Sequence, residues 1–554
     1  MNKIAKLSIF LFSACCISCS DFLDVEPLDS FTGEAVFSDP SLTEAYVNER
    51  YMGLRDYFGP ESTVGLKYQA STRFICDESM SNFNWASAWS YNQGEVTPDQ
   101  VGSYNVWKEY FTGIKDCNIF FENIGLLQNQ EELVNRLTGE VTFLRAYLYA
   151  ELVNRYGGVP IITKTFGIND DMMVTRDSYE DCISFIVTEL DKAASLLPVK
   201  QEDKNFGRAT KGAALALKSR MLLYAASPQW NSSGDTQKWK AAADAAKAVI
   251  DLTDNSGSLA YELDPSYKDL FLTSKSKEII FMRLYSSEYG HRFDWENSPN
   301  GFTGWSATCP LQDMVDSYEM EDGSMPTPDL YKTDEPWKGR EPRFYHSILC
   351  DGQEFRGREI EFWTTSDPEG VNGVDTEYGP EGWNTSKTRY TIRKFMNEAL
   401  TAAWVDKGTQ PFIFSRLGEI YLNYAEAMFH LGDEATARKY VNLIRERARE
   451  GKDVLPDITS SGDELLKKIQ HERKIELAFE EHRYYDVRRW KIAEQTENKV
   501  ERRVHIVKDL ATGKKTYSFV DVQERKFLPQ HYLMPIPRSE IQKNPLLEQN
   551  PYYN

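Results

Sequence analysis

The chain has 554 residues, which is long enough to bury a large core. Hydrophobic residues make up 41% and aromatic residues 13% of it, so disordered and collagen-like proteins are excluded. The formal net charge of −20 opposes the positive surface that binding to nucleic-acid phosphates requires, so we expect no nucleic-acid partner.

The first residues predict export. Two lysines precede an apolar run, Leu7–Ile17, that is too short to span a bilayer. Small Ser18 precedes Cys19, so residues 1–18 are predicted to be a lipoprotein signal peptide and Cys19 the lipidated first residue of the mature chain. A cleavage box ending at Cys15 competes with this assignment, and an ordinary secretory signal is the alternative. No later stretch is apolar enough to span a membrane, so attachment is expected through lipid alone.

Apolar residues at spacings of three and four predict helices that come in pairs. The predicted helices are Gly139–Tyr156, Tyr179–Leu197, Lys211–Ala226, Lys238–Leu252, Ile413–Leu431, Asp433–Arg449 and Asp463–Trp490. Small Ala425 and Ala437 flank Gly432 between two of them, as in tetratricopeptide helix pairs. The pairs are not evenly spaced. We therefore predict a mainly α fold, in which irregular tetratricopeptide-like pairs form a scaffold with long loop-rich insertions and little β structure.

Two segments lack helical periodicity and are rich in Gly, Pro, Asn and Trp. We call Thr72–Asn105 the first loop segment and Thr253–Gln410 the second loop segment. Long insertions on a rigid scaffold commonly carry function, so we expect these two segments to meet in space.

The cysteines beyond the signal are widely spaced and predict neither disulfides nor a zinc site, so they are expected to be small core residues. They are Cys76, Cys117, Cys182, Cys309 and Cys350. No two of the seven histidines are four residues apart, and no metal or cofactor is expected.

The sequence carries no familiar enzyme signature. Glu480, Glu481 and His482 are adjacent, but the pattern around them is typical of helix ion pairs, with Arg473 three residues before Glu476 and Asp486 three before Arg489. A structural role is therefore predicted for this motif. A pair of carboxylates such as Asp77 and Asp313 leaves a glycoside hydrolase open as an alternative.

Three long motifs near the carboxyl terminus resemble the SusD/RagB family of outer-membrane lipoproteins. They are RLGEIYLNYAEA at 416–427, ERKIELAFEEHRYYDVRRW at 472–490 and YLMPIPRSEIQKNPLLEQNPYY at 532–553. Further matches begin with CSDFLDVEP at 19–27, so the resemblance spans nearly the whole chain. It divides the mature chain into an amino-terminal SusD-like helical region, 19–252, and a carboxy-terminal SusD/RagB region, 253–554, with its insertion at 253–410 and helix pairs at 413–490. We expect these regions to form one structural unit.

The resemblance implies a binding protein rather than an enzyme. Such a protein is lipid-anchored in the outer membrane and faces the cell exterior. It binds oligosaccharide or polysaccharide without cleaving it, and it delivers the sugar to a SusC-like TonB-dependent transporter barrel. A peptide-binding member of the same uptake system is the alternative.

Sugar rings present flat C–H faces with a fringe of hydroxyl groups, so a binding site needs exposed aromatic rings beside polar groups. Both loop segments offer such residues, although each tryptophan could instead attach its loop to the scaffold. The candidate ligand-binding residues are Trp85, Trp89, Tyr91 and Asn92 in the first loop segment and Tyr289, Arg292, Trp295 and Trp305 in the second. The negative net charge favours neutral glycans unless Arg292 or a neighbour compensates locally.

Overall fold

The computed structural model describes residues 33–58, 70–167, 169–367, 369–400 and 406–553. The predicted signal peptide and Cys19 lie outside the described residues. Within the described ranges, no helix is both long and apolar enough to cross a membrane.

Helices dominate the described part of the chain. They are α1 (Gly33–Ser38), α2 (Pro40–Arg50), α3 (Ser87–Asn92), α4 (Trp107–Asn123), α5 (Glu131–Tyr156), α6 (Tyr179–Leu196), α7 (Lys211–Ala226), α8 (Thr236–Ile250), α9 (Tyr267–Leu270), α10 (Phe293–Asn297), α11 (Gln312–Val315), α12 (Pro342–Ser347), α13 (Leu417–His430), α14 (Glu434–Ala448), α15 (Gly462–Glu476), α16 (Arg483–Arg489), α17 (Ala493–Glu497) and α18 (Arg538–Lys543).

The strands of the described residues pair antiparallel, two at a time, and all but β9 and β10 are short. They are β1 (Ser79–Ser81), β2 (Ile279–Arg283), β3 (Thr308–Pro310), β4 (Ile348–Leu349), β5 (Glu354–Phe355), β6 (Arg358–Glu359), β7 (Thr391–Ile392), β8 (Phe412–Arg416), β9 (Val500–Lys508) and β10 (Lys515–Glu524). The pairs are β1–β3, β2–β8, β4–β7, β5–β6 and β9–β10. The predicted mainly α fold with little β structure is confirmed.

Helices α4 to α8 pack each against the next, and α8 then packs against α13, which packs against α14. The second loop segment is inserted between α8 and α13, so it leaves the row of helix pairs unbroken. At the turn between α13 and α14, Gly432 has a left-handed backbone (φ 85°) and Asp433 accepts a hydrogen bond from the backbone of Thr436. Ala425 and Ala437 are fully buried where these helices meet, as the tetratricopeptide pattern predicts.

The predicted ends of a helix agree with the observed ends where the local apolar periodicity determines them. Helix α7 matches its prediction at both ends, whereas α5 begins at Glu131 rather than at Gly139. Gly139 therefore lies inside α5 rather than at its start. A Cβ at this position would lie only 3.0 Å from the side chains of Leu196 and Leu197. This glycine lets the end of α6 pack closely against α5.

Two helix predictions are wrong because contacts with distant residues determine the backbone there. Residues 412–416 form strand β8, which pairs with β2 across the second loop segment, so α13 begins only at Leu417. The helix predicted over Asp463–Trp490 is interrupted between α15 and α16. Phe479 and Glu481 have left-handed backbones there, with φ of 63° and 68°.

The predicted core cysteines are confirmed. All five are buried and unpaired. They are Cys76, Cys117, Cys182, Cys309 and Cys350.

A network of buried ion pairs surrounds α15 and the turn that follows it. Arg416 lies 2.7 Å from carboxylate oxygens of Glu278, Glu476 and Glu480. Arg447 contacts the first two of these glutamates as well. Because these side chains are almost fully buried, each charge depends on its partners for stabilisation.

The same network holds the second loop segment to the scaffold. Arg343 lies 2.6 Å from Glu472 and 3.0 Å from Glu476. Lys394 lies 2.7 Å from Glu480. The second loop segment is therefore attached to α15 and its following turn through Arg343 and Lys394, and to β8 and α14 through Glu278.

The first loop segment is attached in the same way. Asp77 lies 2.7 Å from Arg483 and 3.1 Å from Lys474. Glu481 accepts hydrogen bonds from Ser71 and Thr72. The structural role predicted for Glu480 and Glu481 is thus confirmed.

The two predicted helix ion pairs have different outcomes. Asp486 and Arg489 lie 2.8 Å apart, as predicted. Arg473 instead pairs with Asp486, at 2.8 Å, because Glu476 faces the other arginines. His482, between these groups, is buried.

Replacing Arg416 with methionine is expected to lower the free energy of unfolding by about 3–5 kcal/mol, because three buried glutamates lose a shared partner. Urea titration followed by circular dichroism measures the change. Lys240→Met is the control, because its ion pair with Asp244 is exposed and contributes at most about 0.5 kcal/mol. Equal effects of the two substitutions would contradict the network's role.

The environment of Glu426 leads us to expect that the free energy of unfolding falls in acid. It accepts hydrogen bonds from Arg489, at 2.6 and 2.7 Å, and from the indole of Trp490. Burial opposes its ionisation, but Arg489 outweighs burial and lowers the pKa of Glu426 from 4.5 to about 2. Because the folded-state pKa is lowered, the stabilisation is complete above pH 4.5 and is lost as the pH falls towards 2.

The measurement compares the wild type with Glu426→Gln by urea unfolding at several pH values. At neutral pH the variant is expected to be less stable by about 3 kcal/mol. The difference should shrink as the pH falls through this window. A difference that stays constant would show that the charge of Glu426 is not what stabilises the site.

Candidate functional site

The two loop segments meet in a short sheet. Strand β1 comes from the first and β3 from the second, with Ser79 opposite Pro310 and Ser81 opposite Thr308. The pairing extends one residue further, because the backbone N–H of Asn82 donates to the carbonyl of Ala307 at 3.1 Å. The expectation that the two segments meet is confirmed.

Aromatic rings from both segments touch one another beyond this sheet. Trp85 lies 5.4 Å from Phe83, Phe83 lies 5.9 Å from Trp305, and Trp305 lies 4.6 Å from Trp295, measured between ring centroids. We call these four residues the aromatic strip. Trp85 is 63% exposed and the other three are half-buried. The strip therefore joins residues that are more than two hundred positions apart in the sequence.

Local backbone geometry fixes the second half of the strip. The indole N–H of Trp295 donates to the carbonyl of Thr303 at 2.8 Å. Thr303 and Ser306 both have left-handed backbones, and at Gly304 a Cβ would lie 2.1 Å from the carbonyl oxygen of Ser298. Strained backbone of this kind often marks functional positions, and here it surrounds Trp305.

Asn82 connects the strip to a third stretch of chain. Its amide donates to the carbonyls of Trp305 at 2.9 Å and Asn384 at 3.0 Å, and its side-chain oxygen accepts from the backbone N–H of Lys387 at 3.2 Å. Trp383, adjacent to this contact, is 77% exposed. Asn82 thereby ties the backbone next to Trp383 to that of Trp305.

The remaining residues predicted from sequence lie at different distances from the strip. Trp89 is half-buried, and its indole donates to the carbonyl of Ser81 at 3.1 Å. The guanidinium of Arg292 lies 5.3 Å from the ring centroid of Trp295. Tyr289 is 74% exposed, but within the described ranges its ring makes no contact with the strip.

Burial corrects the prediction for Tyr91 and Asn92, which are only 7% and 8% exposed. The Tyr91 ring packs 4.7 Å from that of Tyr104, and the Asn92 amide donates to the carbonyl of Phe74. Both side chains lie on the inward face of α3, so they connect the loop to the core.

Phe83 and Trp383 were not among the predicted site residues. Both occur in the loop segments that the sequence marks as functional, so their general position could have been found. Their exposure and neighbours could not, because these depend on the β1–β3 pairing and on the bridge made by Asn82.

The carboxylates Asp77 and Asp313 do not have the properties of a glycosidase pair. Burial opposes ionisation of each, but Arg483 lowers the pKa of Asp77 well below its usual value and Lys499 lowers that of Asp313. A general acid for glycoside hydrolysis needs a raised pKa instead. Within the described ranges, no three His, Cys, Asp or Glu side chains are grouped to hold a metal ion.

Replacing Asn82 with alanine is expected to release the backbone that it holds. The N–H of Lys387 then loses its acceptor, so its hydrogen exchange should accelerate. Mass spectrometry of peptides covering 380–390 measures this. Asn118→Ala is the control, because Asn118 bridges the carbonyls of Ile162 and Lys164 within the scaffold. Unchanged exchange at Lys387 in the Asn82 variant would contradict the bridge.

Comparisons with known proteins agree across the chain. The model of the SusD family matches residues 277–553, and a model described as starch-binding and associating with the outer membrane matches residues 21–223. A solved SusD-like protein from Bacteroides fragilis is 32% identical with a TM-score of 0.79, and the match covers 95% of this chain and 100% of that one.

Two further relatives extend the agreement. A solved SusD-like carbohydrate binding protein from Bacteroides fragilis is 25% identical with a TM-score of 0.77, covering 93% of this chain and 100% of that one. SusD-like protein P2 of Formosa agariphila is 26% identical over 100% of both chains. The chain therefore belongs to the SusD family, a family of glycan-binding proteins described as associating with the outer membrane.

Proposed function

We propose that this protein is a cell-surface lipoprotein that captures oligosaccharides on the aromatic strip and delivers them to a TonB-dependent outer-membrane transporter. The observation that carries the proposal is the strip itself, in which rings from two distant loop segments form one partly exposed surface. The protein binds its ligand and does not cleave it.

The chemistry of the strip suits sugar rings. The C–H face of a sugar packs on an aromatic ring, and each such contact contributes an amount comparable to the roughly 0.5–1.5 kcal/mol of an aromatic pair. Contacts of this size give weak binding, because even about 4 kcal/mol corresponds to a Kd of only about 1 mM. Such an affinity suits a protein that must release its ligand to a transporter.

Other parts of the proposal rest on other observations. Lipid attachment at Cys19 rests on the sequence of the first residues. Glycan binding is further supported by the description of the matched amino-terminal family model and by the carbohydrate-binding relative. Delivery to a transporter rests on the family resemblance.

Titration calorimetry with a panel of oligosaccharides tests the proposal. Trp85→Ala, Trp295→Ala and Trp305→Ala are each expected to weaken binding by roughly 2- to 13-fold, which corresponds to the loss of one aromatic contact. Phe206→Ala is the matched control, because this exposed aromatic residue lies on the helical scaffold between α6 and α7.

The outcomes separate the three kinds of protein. New reducing ends in the oligosaccharide after incubation would indicate a glycoside hydrolase. Binding of a peptide mixture in place of every sugar would indicate a peptide carrier. Sugar binding that none of the three tryptophan substitutions weakens would show that the ligand binds elsewhere.

A further inference from the structure

The charges next to the aromatic strip differ in sign from the protein as a whole. Lys387 is half-buried, and its ammonium lies 6.0 Å from the ring centroid of Trp89. Its backbone is fixed by the hydrogen bond to Asn82. Within the described ranges, no carboxylate lies at ion-pair distance from this ammonium. A positive charge is therefore held beside the strip without being neutralised.

More positive charge lies close to Lys387 in the structure. Arg389, two residues later, is buried and forms an ion pair with Glu377. Arg503 of β9 is near enough to influence the pKa of Arg389, and it makes no ion pair with any described residue. The buried Nε of Arg503 has no hydrogen-bond partner either. Arg389, Arg503 and Glu377 together therefore carry a net charge of +1.

A second cation lies next to Trp295 of the strip. The guanidinium of Arg292 lies over the ring of Trp295, which contacts Trp305. Contacts between an aromatic face and a cation of this kind stabilise the position of the guanidinium. A guanidinium therefore lies beside Trp295 of the strip, in addition to the ammonium of Lys387 beside Trp89.

Acidic groups near the strip are mostly neutralised. Asp375 pairs with Arg358 at 2.7 Å, and Asp313 with Lys499 at 2.6 Å. Burial raises the pKa of Glu296, next to Trp295, to about 8, so this carboxyl is largely uncharged at neutral pH. Glu381, exposed beside Trp383, is an acid that opposes this trend.

We infer that the aromatic strip takes glycans that carry anionic groups, either carboxylate or sulfate, with these groups lying against Lys387. This inference rests on the proposed function and specifies its substrate class. The net charge of −20 disfavours such ligands at long range. At about 0.1 M salt, however, that repulsion is screened beyond about 10 Å, so the nearby cations decide the preference.

Matched pairs of ligands test the inference. One pair is an oligogalacturonate and its neutral methyl ester, and the other is a sulfated oligosaccharide and its desulfated counterpart. The acidic member of at least one pair is expected to bind more tightly than its neutral counterpart. That advantage should fall as NaCl rises from about 0.05 to about 0.5 M. Which pair shows the advantage distinguishes carboxylate from sulfate.

Two substitutions locate the effect. Lys387→Met is expected to weaken binding of the acidic ligand by about tenfold and to leave the neutral ligand unchanged, because only one charge is removed. Glu381→Gln should strengthen binding of the acidic ligand. Lys439→Met is the matched control, because its ammonium lies 5.7 Å from the ring of Tyr440 on the scaffold helix α14.

Each result is decisive. Neutral ligands that bind at least as tightly as acidic ones, with no effect of Lys387→Met, would overturn this inference. The proposed function would still stand if the tryptophan substitutions weakened that binding. Failure of every sugar to bind would overturn both. The salt dependence is measured on the wild-type protein, so it stays informative even if a variant folds poorly.

Discussion

Buried ion pairs around α15 connect the helical scaffold to both loop segments. Taking so many charges out of water carries a large desolvation cost, which only close and multiple pairing offsets. Arg416 meets this requirement with three glutamates, and Glu476 meets it with three arginines. Such a network has little freedom to rearrange, because displacing one member leaves several charges buried without partners.

The network also explains how distant parts of the chain form one surface. Asp77 ties the first loop segment to Arg483. Arg343 and Lys394 tie the second to α15 and its following turn, and Glu278 ties it to Arg447 of α14. The ends of β1 and β3 are thereby brought to the same place, and the rings that follow them meet. The motif at 472–490 thus positions both loop segments, and its many charged residues form the ion pairs that hold them.

Sequence reasoning succeeded where a structural feature depends on near neighbours. Helix α7 and the Gly432 turn follow from local periodicity and capping. Strand β8 could not be found, because its partner β2 is more than a hundred residues away. The break after α15 was also missed, since no glycine or proline marks it and buried carboxylates hold Phe479 and Glu481 in left-handed conformations.

In the candidate site too, features set by the local sequence were predicted and features set by distant contacts were not. Composition alone identified both loop segments, and Trp85, Trp295 and Trp305 do come together. Tyr91 and Asn92 proved to be interior because they lie on the inward face of a short helix that was interpreted as loop. Exposure of a tryptophan in an insertion depends on tertiary contacts such as those of Asn82, which no local pattern reveals.

A crystal structure with a bound oligosaccharide would show whether the two loop segments form one binding surface. We expect sugar rings to lie on Trp85 and Trp305 together, so that one ligand contacts both loop segments. A ligand bound against the helical scaffold, or against one loop segment alone, would contradict it.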